Sequence, residues 1–185
     1  MKKIPTIFER DWNGDRSRVL PIPNSKCQWV FDGEGVATRK LDGTCVLVRD
    51  GKRYKRRELR DGEREPAGFE KVDFDEETGK TIGWVPVGDG PEDRWHREAS
   101  GGELDGTYEL IGPKIQGNPE HAPAHILCRH GIEAPDAAPP LNFDGLRAYL
   151  NGKDIEGIVW RHPDGRMAKI KLRDFGLKRR PRDNP

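Results

Sequence analysis

Short apolar stretches, interrupted at close intervals by glycine and proline, dominate the pattern of hydrophobic positions along this chain. Runs of roughly four to eight residues in which apolar and polar side chains alternate are typical of β-strands. The pattern predicts strands over residues 28–31, 35–40, 45–49, 52–57, 68–74, 81–87, 107–111, 125–129, 155–161 and 166–172. We therefore expect a chain composed mainly of strands.

Turn and capping residues predict the connections between the strands and the positions of the few helices. Three turn dipeptides lie between extended runs and predict hairpins: Asp50-Gly51, Thr78-Gly79 and Asp164-Gly165. One amphipathic helix is predicted over residues 143–150, with Asn142 as its N-cap and Gly152 as its stop signal. A shorter helix is predicted over residues 92–98. Together these elements predict an α+β fold that is rich in antiparallel sheet and has few helices.

The chain has 185 residues, which is enough for one domain of ordinary size. We predict a domain over residues 1–177, followed by a basic tail over residues 178–185. The formal net charge is only +1, so the protein as a whole has no field that would attract a polyanion. Basic residues are instead concentrated locally, with eight in residues 49–64 and eight in residues 166–182. A nucleic-acid partner would therefore be held by these local patches.

The cysteines and the lengths of the apolar runs bear on the compartment. Cys27, Cys45 and Cys128 are odd in number and form no CxxC pair, which favours reduced thiols over a disulfide framework. The apolar runs are far shorter than the roughly 18 residues that cross a bilayer, and the chain does not begin with a secretory segment. We expect a cytoplasmic protein that has no membrane partner and acts as a monomer.

The first candidate catalytic residue is Lys40, in the sequence Lys40-Leu41-Asp42-Gly43 at the end of a predicted strand. A lysine amine that has lost its proton can act as a covalent nucleophile. A KxDG string by itself is common, so later features must support it. Acidic residues follow in two predicted strands, at Glu109 and Glu156. Lys169 and Lys171 come last and share one strand face, because side chains along a strand repeat every second residue.

In this order, the four features resemble motifs I, III, IV and V of the covalent nucleotidyltransferases, the superfamily of ATP-dependent ligases and capping enzymes. Cys45 stands where DNA ligases and capping enzymes usually carry arginine, and this difference favours the RNA ligases. Residues 33–45 and 108–120 are similar to the small RNA ligases of phages and cells, which include vertebrate enzymes that join 5′-phosphate to 3′-hydroxyl ends. The resemblance extends from about residue 8 to residue 175.

The resemblance implies an ATP-dependent RNA ligase with an antiparallel nucleotidyltransferase domain. Lys40 would form a covalent lysyl-AMP, and the AMP would then pass to the 5′-phosphate of an RNA whose partner end is a 3′-hydroxyl. Lys169 and Lys171 would contact the phosphates as catalytic residues and would lower the pKa of Lys40. Glu156 would hold Mg²⁺ or Mn²⁺.

The resemblance also assigns a set of residues to the nucleotide. Either Arg56 or Arg57 would contact the ribose or the phosphates, and the sequence leaves both open. His130 or an apolar neighbour would lie against the adenine, and Asp42 would shape the turn beside the site. The full set of candidate nucleotide-binding residues is Arg39, Lys40, Asp42, Gly43, Arg56, Arg57, Glu109, His130, Glu156, Lys169 and Lys171.

A zinc site is the competing interpretation of one segment. Four residues of the types that zinc binds fall within ten positions of one another: His121, His125, Cys128 and His130. Their spacing is irregular, and a strand over residues 125–129 would direct His125 away from Cys128 and His130. We therefore disfavour zinc here.

Two further functions remain open. The chain could be a protein of the same fold that binds adenylate or transfers AMP to another acceptor, although a protein that only binds would not need Lys40. It could also seal nicks in DNA, although Cys45 disfavours this function. Only 14 residues follow Lys171, too few for an OB-fold domain of five strands. We therefore expect no OB-fold, with phosphate contacts made by the two basic patches and with RNA preferred over DNA.

Overall fold

The computed structural model describes residues 1–179, and antiparallel pairing joins the strands of every sheet within them. The strands are β1 (Phe8–Arg10), β2 (Val19–Pro23), β3 (Val36–Lys40), β4 (Thr44–Arg49), β5 (Lys52–Leu59), β6 (Glu70–Asp75), β7 (Lys80–Pro86), β8 (Gly106–Ile111), β9 (Ile126–Arg129), β10 (Gly157–Arg161) and β11 (Met167–Lys171). The α-helices are α1 (Gln28–Phe31), α2 (Arg94–Glu98) and α3 (Phe143–Leu150). This confirms the predicted α+β class with few helices.

The chain divides into two compact units. The first unit comprises residues 1–3 and 42–130, and its six-stranded sheet has the order β6-β7-β5-β4-β8-β9. One face of this sheet is apolar, because Val46, Tyr108 and Leu110 alternate with polar neighbours along β4 and β8 and are buried together. The opposite face carries the polar residues of the same strands.

The second unit comprises residues 4–41 and 131 onward. It contains the three-stranded sheet β11-β10-β3 and the two-stranded sheet β1-β2. Its core joins fully buried Ile158 and Ile170 from the larger sheet to Leu146 and Leu150 of α3. Burial of these side chains is the main favourable term in the stability of this unit.

Most of the predicted elements are confirmed. Each of the three turn dipeptides joins two strands in a hairpin: β4-β5, β6-β7 and β10-β11. Helix α3 spans the predicted residues 143–150, and the Asn142 side chain caps it by accepting a hydrogen bond of 2.7 Å from the Gly145 amide. The short helix predicted over residues 92–98 forms as a 3₁₀ turn followed by α2.

The prediction for residues 28–31 was wrong, because this segment is helix α1 rather than a strand. The chain enters it through a 3₁₀ turn that Asn24 caps, and the helix buries the adjacent residues Trp29 and Val30, which a strand would place on opposite faces. Strands β1 and β2 were not predicted. Glu156 lies one residue before β10 rather than within a strand. The domain boundary at residue 177 and the tail over residues 178–185 stay predictions, and residues 180–185 lie outside the described residues.

Candidate active site

Three of the predicted lysines lie on one face of the three-stranded sheet in the second unit. Gly157 of the central strand β10 pairs with Lys40 on one side and with Lys171 on the other. Directly paired residues project to the same face, and Lys169 joins them because it lies two positions before Lys171 in β11. Ile170, between the two lysines, projects to the other face and is fully buried in the core. The register of this sheet therefore gathers residues that are far apart in sequence.

The Glu156 carboxylate connects two of these lysines. The Lys40 ammonium group donates a hydrogen bond to one carboxylate oxygen, and the Lys171 ammonium group donates to the other. The three side chains are only 13–18% exposed. Charges held this far from water are tolerated when they are paired and hydrogen-bonded. We call Lys40, Glu156 and Lys171 the lysine–glutamate triad.

Burial and mutual repulsion change the proton affinities around the triad. Burial, followed by the charges of Lys171 and Lys40, lowers the pKa of Lys169 to about 7. Burial also lowers the pKa of Lys171, although Glu156 opposes this shift. For Glu156, burial acts to raise the pKa, but the two lysine charges outweigh it and hold the pKa below its usual value. This cluster of cations around one carboxylate has the electrostatic character of a site for a phosphate group.

The backbone around the triad is closely packed. A Cβ atom at Gly157 would lie 2.1 Å from the main-chain oxygen of Ile170, so this position of β10 requires glycine. At the end of β11, the buried Asp174 carboxylate accepts a hydrogen bond of 2.9 Å from the Lys171 amide. Its other oxygen accepts one of 3.2 Å from Arg10. These contacts fix the backbone that carries Lys171.

The first unit holds a second cluster, built around the buried Glu109 of β8. One carboxylate oxygen accepts a hydrogen bond of 3.1 Å from the Gly43 amide, and the other lies 2.8 Å from His130 Nε2. Because a carboxylate only accepts, Nε2 donates this hydrogen bond, and His130 Nδ1 lies 3.0 Å from the Thr107 hydroxyl oxygen. A Cβ at Gly43 would lie 2.2 Å from the Leu110 oxygen, so glycine is required for this close approach.

Glu120 is a residue of this region whose contact the sequence did not reveal. Its carboxylate accepts a hydrogen bond of 3.0 Å from the Asp42 amide and so holds the turn that follows Leu41. Glu120 and Asp42 are 78 residues apart in the sequence. No local pattern indicates a contact of this kind. The only signal was its position at the end of residues 108–120, one of the stretches that carries the resemblance.

The register of the six-stranded sheet distinguishes the two arginines that the sequence left open. Val46 pairs with Lys55, and Cys45 pairs with Glu109. Arg56, next to Lys55, therefore projects to the face that carries Cys45 and Glu109, whereas Arg57 projects to the opposite face. Arg56 is partly buried and donates a hydrogen bond of 2.7 Å to Glu58.

Arg39 is not brought to the lysine face. It pairs with Ile158 in the sheet, so it projects to the face opposite Lys40, and it donates a hydrogen bond of 2.7 Å to Glu133. This arrangement follows from the alternation of neighbouring residues in β3. The other predicted residues of the second unit, namely Lys40, Glu156, Lys169 and Lys171, are gathered together.

Two of the four residues considered for zinc take other partners. His125 stacks on Trp95 with ring centroids 4.5 Å apart, and His130 binds Glu109. Among residues 1–179, no group of three or more histidine, cysteine or acidic residues is arranged to hold a metal ion. No helix in this part of the chain is long and apolar enough to cross a membrane.

Comparison with known proteins gives matches that share one description. Residues 102–185 match the family model described as RNA ligase 1. The chain is 33% identical to RNA ligase 1 of Danio rerio over 84 residues, which cover 40% of this chain and 26% of that protein. It is 37% identical to RNA ligase 1 of Rattus norvegicus over 82 residues, covering 40% and 25%. It is 29% identical to RNA ligase 1 of Mus musculus over 138 residues, covering 55% and 42%.

These matches confirm the resemblance to RNA ligases that the sequence motifs indicate. The chain spans between about a quarter and two fifths of the length of the curated relatives it matches. The family match contains Glu109, Glu156, Lys169 and Lys171, whereas Lys40 precedes it in the sequence.

Proposed function

We propose that this chain, whose residues 102–185 match the RNA ligase 1 family, is an ATP-dependent RNA ligase that joins 5′-phosphate and 3′-hydroxyl ends through AMP bound to Lys40. The observation that carries the proposal is the lysine–glutamate triad, with Lys169 beside it on the same sheet face. One lysine would react, and the others would supply positive charge to the phosphates of ATP.

The first step is nucleophilic attack by Lys40. The ammonium group first loses a proton, and the lone pair on Nζ then forms a bond to the α-phosphorus of ATP. The bond from that phosphorus to pyrophosphate breaks, pyrophosphate leaves with the bonding electrons, and the nitrogen loses a second proton. Lys169 and Lys171 stabilise the charge on the phosphate oxygens. Glu156 orients the Lys40 amine before the attack, because it accepts its hydrogen bond.

Glu156 also fits the proposed metal, Mg²⁺ or Mn²⁺. Mg²⁺ in phosphate-transfer sites is commonly held by one or two carboxylates together with the phosphates of the substrate, so the site does not need three protein ligands. The single buried carboxylate of Glu156 meets this requirement. When bound, the cation would supply positive charge to the phosphate oxygens.

Glu109 of the first unit is a good acceptor for hydroxyl groups of a nucleoside. Its carboxylate is buried and is held in place by Gly43 and His130. His130 therefore acts as a positioning residue for Glu109 in this proposal. Arg56 is the arginine that we assign to the nucleotide in place of Arg57, because it shares the sheet face of Glu109.

RNA is the proposed acceptor for two reasons. The relatives are named RNA ligase 1, and Cys45 replaces the arginine that DNA ligases and capping enzymes usually carry. After the first step, an oxygen of the RNA 5′-phosphate forms a bond to the phosphorus of the AMP. The P–N bond breaks, and the Lys40 nitrogen leaves with the bonding electrons and takes up a proton. The 3′-hydroxyl oxygen then attacks the 5′-phosphorus, AMP leaves, and a phosphodiester bond forms.

The proposal is tested by a gel assay of matched RNA nicks, DNA nicks and single-stranded RNA ends with ATP and Mg²⁺. We expect sealing of RNA at low salt and much slower sealing of the DNA nick, with Lys40→Ala inactive on every substrate. Equal or faster sealing of the DNA nick would replace RNA by DNA as the acceptor. Formation of protein-bound AMP without any sealing would favour transfer of AMP to another acceptor.

A further inference from the structure

A cavity of about 460 Å³ opens at the end of the six-stranded sheet near the β4–β5 turn. The apolar or aromatic residues Tyr54, Pro86 and Val87 line it together with three cationic residues. We name it the hairpin pocket and define its cations as Lys52, Arg53 and Arg97. No acidic residue lines this pocket.

Main-chain oxygens hold the two arginines in place. Arg53 donates hydrogen bonds of 2.5 Å to the His96 oxygen and of 3.0 Å to the Gly101 oxygen. Arg97 donates to the oxygens of Gly88 and Gly90, the latter at 2.9 Å. Carbonyl oxygens fix these guanidinium groups but do not cancel their charge.

The charge of the pocket's cations is not neutralised. Within the described part of the chain, none of the three pocket cations forms an ion pair with a carboxylate. Other arginines and lysines of the same unit do form such pairs, for example Arg94 with Glu98 at 2.7 Å. Three unneutralised cations beside apolar and aromatic lining residues match a ligand that joins an anionic group to an aromatic or sugar ring.

The position of the pocket points to the strand of a nucleic acid. Lys52 and Tyr54 of the pocket alternate with Arg56 along β5 and so share the sheet face that carries Glu109, whereas Arg53 projects to the opposite face. The pocket therefore includes residues of both faces at the end of the sheet. The distance from Arg56 to Lys52 along the strand is about 13 Å, or four residues at roughly 3.3 Å each. A polynucleotide that reaches the Arg56 region could therefore continue along this face to Lys52 and Tyr54 of the pocket.

We propose that the hairpin pocket binds a phosphodiester group of the RNA substrate at a nucleotide remote from the reacting end. The RNA identity of the ligand rests on the proposed function. The pocket would hold the body of the strand rather than the end that reacts. Its contribution to affinity would be electrostatic and would weaken as salt rises, because phosphate contacts release bound counterions.

The test uses the full chain and a short, labelled single-stranded RNA with a 5′-hydroxyl, so that binding is measured without ligation. Fluorescence anisotropy gives the dissociation constant over a series of salt concentrations. One phosphate contact on a single strand contributes about 0.7 to the slope of log affinity against log salt. Lys52→Gln should therefore weaken binding roughly fivefold at 0.1 M salt and lower the slope by about 0.7.

Arg97→Gln is the second pocket variant, and Arg94→Gln is the matched control on the same helix, because Arg94 is already paired with Glu98. We expect Arg97→Gln to behave like Lys52→Gln and Arg94→Gln to bind RNA like the wild type. Thermal melting checks that each variant is folded. Lys52 is exposed, and its side chain takes part in no described hydrogen bond or ion pair, so its replacement does not disturb the fold.

If Lys52→Gln bound RNA as tightly as the wild type, the proposal that the pocket binds RNA would be overturned. An equal loss of RNA affinity in Arg94→Gln would overturn it too. A pocket variant that lost affinity for ATP but kept its affinity for RNA would also overturn the proposal. Failure of the proposed function gives a different result, namely absence of the AMP adduct in the wild type. RNA affinity that depends on the pocket would then still support a phosphodiester site.

Discussion

Lys169 is the residue at which burial has the clearest chemical consequence. Its pKa is lowered to about 7, first by burial and then by the charges of Lys171 and Lys40. The unfolded chain would hold the same proton with a pKa near 10.5. A buried lysine of this kind makes the protein less stable wherever it is charged, and an anionic phosphate would offset that cost.

The folded state binds its Lys169 proton more weakly than the unfolded state. The cost to stability is therefore complete below about pH 7 and disappears as the pH rises toward 10.5. Lys169→Met should raise the free energy of unfolding by about 1 to 4 kcal/mol at pH 6.5, and this gain should shrink at pH 10. Urea unfolding at the two pH values measures it. Lys26→Met, at an exposed lysine of the same unit, is the control, and a gain independent of pH would contradict the assignment.

Replacing Glu156 or Lys171 should distinguish effects on catalysis from effects on nucleotide binding. In the proposed reaction both act on charge that develops at phosphorus, so their replacement should affect turnover more than nucleotide affinity. We expect Glu156→Ala and Lys171→Ala to lower kcat by roughly 10²-fold or more, with a much smaller change in the dissociation constant for ATP. Single-turnover kinetics and equilibrium nucleotide binding measure the two effects. Ligation at the wild-type rate by both variants would refute these roles.

Alternation along a strand was enough to predict that Lys169 and Lys171 share a face. The same rule could have shown that Arg39 and Lys40, as neighbours in β3, project to opposite faces. The sequence alone could not distinguish Arg56 from Arg57, because the choice depends on the pairing of β5 with β4 and of β4 with β8. Register between strands is set by long-range packing, which local patterns do not contain.

At the scale of elements, the strands with clear turn signals were predicted and the shortest elements were not. Asp50-Gly51 lies in the left-handed region of φ at both residues, the conformation that favours this dipeptide in tight hairpins. Strand β1 has three residues, too few to show an alternating pattern. Helix α1 has four residues, and its Gln-Trp-Val-Phe sequence also suits a strand. For segments this short, tertiary packing decides the conformation.

The pairing of three strands at Gly157 gives a prediction for the sheet as a whole. In Gly157→Ala, the new Cβ would meet the Ile170 oxygen at 2.1 Å and would push β10 away from β11. We expect a loss of roughly 1 to 3 kcal/mol in stability. Activity should fall further than stability explains, because Lys40 and Lys171 flank this residue. Thermal melting and the ligation rate below the melting range measure the two losses.

The control for this change is Gly88→Ala. A Cβ at Gly88 would make only an ordinary contact of 3.6 Å with Asp93. This variant should therefore melt and ligate like the wild type. A Gly157→Ala protein that melts and ligates as well as Gly88→Ala would show that the close pairing at Gly157 is not needed.

At the scale of the whole molecule, the two units carry separate groups of the predicted residues. The second unit holds the lysine–glutamate triad and Lys169, and the first unit holds Glu109, Gly43 and His130. The chain passes from the second unit to the first between Leu41 and Asp42, directly after the proposed nucleophile. The sequence predicted the α+β class, but it did not predict the division into two units, and the functional roles of the candidate residues stay predictions.

The central claim is that Lys40 forms a covalent bond with AMP, and the intact mass of the protein after incubation with ATP and Mg²⁺ tests it most directly. We predict one AMP per chain in the wild type, through a P–N bond that acid cleaves and alkali spares. Lys40→Ala should gain no AMP, whereas Lys26→Ala should be labelled like the wild type. An AMP adduct that persists in Lys40→Ala, or its absence from the wild type, would contradict the account.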